Sequence, residues 1–286
     1  MLGLGRKCPT VTHMSYKRSE DLPSYSAPPV NEVAIGIGFS PLTCWNSVCP
    51  GEFRALVRDK FPKIEDKGPL PPLALLTRAP ESTATVLEIP PVRRTWYLAD
   101  STDLLIQVQE DRLHVNWRRV QEEDSYPRYG RVLGEFTDAL DLFQRFVEGR
   151  GERIFCTAGE VSYVNHIPEG PLWSDWNDLS SVLQGWSPVP GAVSGIEAIA
   201  GTFTASADSG SNLVADGRQM TIDIKTAIRR NDQSRIVILQ LVNRGRLGSS
   251  EHEAVTEWCG RASEEIVRAF TQLTTARAHE HWRRIR

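Results

Sequence analysis

Long apolar runs are missing from this chain of 286 residues. No stretch approaches the ~20 apolar residues that a membrane-spanning helix needs, so a bilayer is not an expected partner. The first 26 residues lack the apolar stretch and cleavage pattern of a secretory signal. They are rich in Ser and Thr and carry Arg6, Lys7, Lys17 and Arg18, which predicts a mobile arm on a cytoplasmic protein. Cysteine is sparse and odd in number, at positions 8, 44, 49, 156 and 259; without an export signal these read as reduced thiols. A strong charge of one sign is lacking too. With a formal net charge of -3, bulk electrostatics gives no reason to expect nucleic acid or an anionic membrane. There is no P-loop, no HExxH zinc helix and no nucleophile elbow, so no cofactor or metal is expected. What remains is 40% hydrophobic and 24% charged, ordinary globular composition for one large domain or two small ones.

Ordered structure is expected from about Ala27. In Val33-Ala34-Ile35-Gly36-Ile37-Gly38-Phe39 the large apolar residues alternate, the period of a strand. Its other face holds only Ala34, Gly36 and Gly38, so a close neighbour is expected there, a covering helix or a partner chain. A short helix follows Pro50-Gly51, with Phe53, Leu56, Val57 and Phe61 on one face, and stops at Pro62; residues 67–72 read as a loop. Strands are predicted near 83–89, 93–99, 103–109 and 112–118, the last two as a hairpin about Glu110-Asp111. Leu133, Phe136, Leu140, Phe143 and Val147 predict a helix over 131–148. The order then recurs: a strand at 154–166, a short helix at 174–184, strands near 192–198, 200–207, 218–228 and 235–243, and a final helix. That helix opens with the Ser250…Glu253 spacing of a capping box and carries a stripe of Val255, Cys259, Ala262, Ile266, Phe270 and Leu273. The expectation is an α+β fold of two β-α-β4-α halves, 27–151 and 152–275, between an arm (1–26) and a basic tail (276–286). Helices would cover one face of curved antiparallel sheets, the arrangement of duplicated TATA-binding-protein-like folds.

Several segments stand out in order along the chain. They are Pro28-Pro29-Val30-Asn31-Glu32-Val33, Phe61-Pro62, Leu105-Ile106-Gln107-Val108-Gln109 with Asp111-Arg112-Leu113 and Asn116-Trp117-Arg118, Tyr126-Pro127-Arg128-Tyr129, Glu160-Val161-Ser162-Tyr163-Val164-Asn165-His166-Ile167, and the final helix from His252-Glu253 to Phe270. Together they resemble a sporadically distributed, uncharacterised bacterial protein family. The resemblance supplies no catalytic residues. Its patchy distribution implies accessory genes and a role in conflict: phage defence, toxin–antitoxin action or immunity.

Five groups of residues carry the candidate chemistry. Asn116, Trp117 and Arg118 with Tyr126, Arg128 and Tyr129 flank one short loop and bring together the residue types enriched at protein-binding hot spots; the plainer reading is that they brace the hairpin against the second helix. Glu160 and His166 lie on one predicted strand and form the pair to test for acid–base work, against the plainer reading of an Asn165-His166 pair that satisfies backbone groups at a strand end. Cys44 and Cys49 form a C-x4-C pair with no second cysteine pair to complete a zinc site. Trp282 with Arg283, Arg284 and Arg286 suits either base stacking or an ordinary basic helix end, and Trp173, Trp176 and Trp186 cluster about the short helix of the second half. These features favour a non-enzymatic protein whose partner is another protein. A nucleic-acid-binding module and an unrecognised enzyme are the alternatives. The first strand or the final helix offers the seam for a homodimer.

Overall fold

The computed structural model describes residues 16–71, 73, 93–186, 200–206, 217–229 and 232–286. Among these residues nine strands form one antiparallel sheet: β1 (Val30–Phe39), β2 (Lys63–Lys67), β3 (Arg94–Leu98), β4 (Leu104–Gln109), β5 (Arg112–Arg118), β6 (Cys156–Pro168), β7 (Ala200–Ser206), β8 (Gln219–Ile228) and β9 (Arg235–Arg246). Four α-helices accompany them: α1 (Cys49–Val57), α2 (Tyr129–Glu148), α3 (His252–Leu273) and α4 (Ala276–His281), with a 3₁₀ turn at Trp176–Ser181. The fold is α+β. Among the described residues no helix is long and apolar enough to cross a membrane.

The strand order is β2-β3-β4-β5-β1-β6-β9-β8-β7. The first strands of the two predicted halves, β1 and β6, therefore meet at the centre, Ile35 opposite Val161. Outward from that seam each half runs through its strands in reverse order of sequence, β5-β4-β3-β2 on one side and β9-β8-β7 on the other. The helices α2 and α3 pack on one face of the sheet, α2 over β1 and β5, α3 over β6 and β9. Odd-numbered residues of β1, β5 and β6 point to them: Val33, Ile35, Ile37, Leu113, Val115, Trp117, Val161 and Tyr163 are all buried. The predicted stripes of α2 and α3 supply the other side of this core, and Phe143 anchors an aromatic cluster with Phe39, Trp45 and Phe53 at 5.5–5.7 Å between ring centroids.

The opposite face is polar, and most of it is also covered over the first half. Residues Leu70 and Pro71 cross it. The Gln109 amide bonds both the N–H and the C=O of Leu70, at 2.9 and 3.0 Å, and Arg112 donates to the Pro71 carbonyl. Gln107, Gln109, Arg112, His114 and Asn116 are 4–8% exposed although they belong to the polar side of their strands.

Several local readings change. The strand β2 occupies Lys63–Lys67, where a helix stop led straight into a loop in the prediction; it is a charged sheet edge, its first four residues exposed. The predicted strands at 83–89 and 192–198 lie outside the described residues. Leu56 faces solvent, because α1 ends at Val57 and Phe61 reaches the core from beyond the helix. Ser250 does not cap α3: its hydroxyl accepts the Cys156 N–H at 2.8 Å, and Glu251 takes the cap position. From Tyr16 onward the predicted mobile arm is packed. Leu22 and Tyr25 are buried, and the arm pairs with the chain end through Ser24 N–H to Arg286 C=O (3.2 Å), Ile285 N–H to Ser24 C=O (2.7 Å) and Ala27 N–H to Trp282 C=O (3.1 Å).

Candidate functional site

The predicted aromatic–arginine surface divides between the two faces of the sheet. Side chains alternate along a strand, so Trp117 points to the helices while Asn116 and Arg118 point away. Asn116 is buried; its amide accepts from Gln107 (2.6 Å) and donates to Glu32 (2.5 Å). Arg118 donates to the Thr102 carbonyl at 2.9 Å, and its guanidinium lies 5.8 Å from the Trp96 ring. These three residues do not form one surface.

Tyr126, Arg128 and Tyr129 do share a site, and with different neighbours. They line a cavity of about 150 Å³ together with Arg18, Tyr25, Tyr163, Asn165 and, from α3, Ile266, Val267 and Phe270. Two segments from the family resemblance thus converge there, Tyr126–Tyr129 before α2 and Tyr163–Asn165 on β6. A polar relay runs along one wall. Arg18 donates to Ser263 Oγ (3.0 Å), Ser263 meets the Tyr163 hydroxyl (3.0 Å), and Tyr163 meets the Tyr126 hydroxyl (3.3 Å). Tyr129 is fixed by donation to the Cys259 carbonyl at 2.7 Å, and the Arg18 guanidinium stacks 5.1 Å from its ring centroid. Burial, with smaller contributions from neighbouring groups, pushes the Tyr126 and Tyr129 hydroxyls well above the usual phenol range, so both stay protonated donors. Asn165 is held by donation to the Leu239 carbonyl (3.0 Å).

Two features of the lining are unusual. Arg128 has φ 73° and ψ 150°, a conformation that favours glycine, and costs of the order of 1–3 kcal/mol attach to such backbone. Its guanidinium donates to the Tyr25 carbonyl at 2.8 Å and so ties the arm to the rim. The Nε of Arg18 is buried without a hydrogen-bond partner. Among the described residues the lining contains two guanidiniums and no carboxylate.

Glu160 and His166 do not meet. They project from the same face of β6 six residues apart, about 20 Å at strand rise. Glu160 instead bonds His114 Nε2 at 3.3 Å and the Arg244 guanidinium. His114 and Glu160 stand on β5 and β6 and both pair with Gly36 of β1 between them. A Cβ on Gly36 would lie 2.1 Å from His114 Cδ2, so the neighbour of the smooth glycine face is this imidazole. Burial raises the Glu160 carboxyl, but the bonds and charges of His114 and Arg244 outweigh it and hold the pKa at about 2. His166 lines a separate, polar cavity of about 610 Å³ with Arg119 and Arg229; burial first, then those two cations, lowers it to about 4.

The remaining groups are placed plainly. Trp282 is 4% exposed and packs on Phe270 and Tyr25 at 5.2 and 6.4 Å, so it presents no face to a base. Trp173 is buried, donates to the Ile167 carbonyl at 3.3 Å and takes Arg235 on its ring at 5.8 Å; Trp186 is partly buried against the core. Cys49 is buried and donates to the Cys44 carbonyl at 3.2 Å; among the described residues no group of three or more metal-ligating side chains occurs. Sequence reading could not have joined the two tyrosine segments, since Tyr126 and Tyr163 belong to different predicted halves. Comparison with known proteins finds no matching family, no matching curated protein and no matching solved structure.

Proposed function

We propose that this is a non-enzymatic binding protein that takes a single side chain of a partner protein into the tyrosine-lined cavity. The supporting observation is the convergence of Tyr25, Tyr126, Tyr129, Tyr163, Arg18 and Arg128 on one chamber of about 150 Å³. Aromatic residues and arginine are the types that dominate interface hot spots, and such hot spots are desolvated pockets that receive one anchor residue. A cavity of that volume admits a benzene-sized group, less than the ~300 Å³ typical of small-molecule sites. The strained Arg128 and the packed arm hold the rim in shape before a partner arrives, which lowers the ordering cost of binding. A setting in bacterial conflict, such as phage defence, toxin–antitoxin action or immunity, rests on the family resemblance.

The test fills the chamber. Val267 is part-exposed at its wall, and Val267→Trp places an indole there. Partners captured by the tagged wild-type chain are identified, purified and titrated against both proteins. The expected result is a loss of at least tenfold in affinity for the variant with an unchanged melting temperature. Equal affinity for both would remove the cavity from recognition.

A further inference from the structure

We infer that the residue received by the cavity is the C-terminal residue of the partner chain, with an aromatic side chain in the chamber and its α-carboxylate on Arg18 and Arg128. The inference rests on the binding role proposed above and specifies its ligand.

Arg18 and Arg128 both line the cavity, and among the described residues no Asp or Glu does. Arg18 is held by Ser263 of α3 and Arg128 by the Tyr25 carbonyl of the arm. Two cations beside an apolar pocket select a ligand with an anion attached to an apolar group.

Arg18 is fixed in place at the chamber wall. One nitrogen is occupied by Ser263 and the plane rests on Tyr129, yet Nε is buried with no acceptor. That nitrogen is closed to the chamber, so a ligand meets Arg18 through the rest of its guanidinium, for which a planar carboxylate is the matching acceptor.

A partner chain end is the source of that carboxylate that fits the chamber. The chamber holds one ring. In a C-terminal aromatic residue the carboxylate is separated from the ring by two carbons, so one residue satisfies both features. An internal acidic residue next to an aromatic one would have to bring two side chains through the same mouth. A free amino acid would carry an α-ammonium group as well, and the lining offers two cations and no anion to receive it. In a chain end that nitrogen is a neutral amide.

The experiment uses the full chain, ¹⁵N-labelled and followed by NMR, with five probes: the peptide Gly-Ser-Gly-Ala-Gly-Phe as free acid, the same peptide amidated, its Phe→Ala free acid, phenylacetate and free phenylalanine. The expected result is saturable binding of the free-acid peptide, with losses of at least tenfold on amidation and on Phe→Ala, and weaker binding of the two small molecules. Arg18→Gln should abolish the difference between acid and amide. Arg128→Gly is the second variant; it relieves the positive φ, so it folds, and it should weaken the acid peptide at least fivefold. Equal binding of acid and amide, with Phe→Ala still weak, would overturn the carboxylate while leaving the cavity as a side-chain receptor. Phenylacetate binding as tightly as the peptide would make the site one for small aromatic acids. Binding of no probe would overturn the chain-end inference, and the Val267→Trp comparison then decides separately whether the cavity binds at all.

Discussion

Replacing Gly36 by alanine tests the polar row on the sheet face opposite the helices. The new methyl carbon would sit 2.1 Å from Cδ2 and 2.4 Å from Cγ of His114. Carbon atoms prefer about 3.5–4.0 Å, so the ring has to move by roughly 1.5 Å. It has little room: His114 is 5% exposed and its Nε2 is engaged with Glu160. Overpacking of this kind costs about 1–3 kcal/mol, and losing a hydrogen bond to a charged group about 1.5–3 kcal/mol. The two overlap, and a net loss of about 3 kcal/mol is expected. The assay is urea unfolding followed by fluorescence and circular dichroism together, read as a shift in midpoint at constant slope. His114→Ala supplies the control. Without the imidazole the methyl has space, so Gly36→Ala in that background should cost under ~1 kcal/mol, a coupling of about 2 kcal/mol between the two sites. A Gly36→Ala variant within about 0.5 kcal/mol of wild type, or one whose cost is the same with and without His114, would refute this contact.

Other outcomes follow from the same structure. The Glu160 carboxyl is lowered from 4.5 to about 2 in the folded chain. A depressed carboxyl stabilises the fold above its unfolded value, so that contribution, about 3 kcal/mol, is lost as pH falls from 4.5 towards 2. Glu160→Gln should be less stable at neutral pH and flatter in stability across that window in acid-denaturation curves. His166 is lowered from 6.5 to about 4, so the unfolded chain binds the proton first and stability declines as pH falls from 6.5 to 4. An imidazole titration by NMR should find His166 neutral at pH 5.5, and a midpoint near 6.5 would contradict its burial. Trp282→Ala should cost about 3–5 kcal/mol in the same unfolding assay, because the indole is core between Phe270 and Tyr25; an effect below ~1 kcal/mol would return it to the surface.

Much of the architecture was legible because burial imposes a period on sequence. The helices α2 and α3 and the β4–β5 hairpin were readable from their apolar spacing, and the observed register places Gln109 opposite Arg112 across the predicted turn. The charged edge strand β2 was not, because an edge exposed to water needs no apolar alternation and its Lys-Ile-Glu-Asp-Lys sequence has none. Ser250 illustrates a competing use: a hydroxyl with capping-box spacing was taken by the backbone of β6. In the candidate site the individual tyrosines were visible but their meeting was not, since it depends on β6 lying beside β1 and on α3 folding back over β6. The partner of Glu160 was hidden for a related reason. It stands two strands away, and only the absence of a side chain at Gly36 allows the contact. The alternation of small residues on β1 was the trace of it.

The central position of β1 has a consequence for synthesis. Among the described strands it comes first in sequence, yet Ile35 pairs with Val115 on one side and Val161 on the other. A growing chain on the ribosome therefore carries β1 as an unsatisfied edge until β5 emerges, and leaves its second edge open until β6 follows. Non-local pairing of this kind slows folding and exposes strand edges to other nascent chains. The seam between β1 and β6 is thus the last joint of the centre to close during translation, and the stage at which a chaperone would have most to shield.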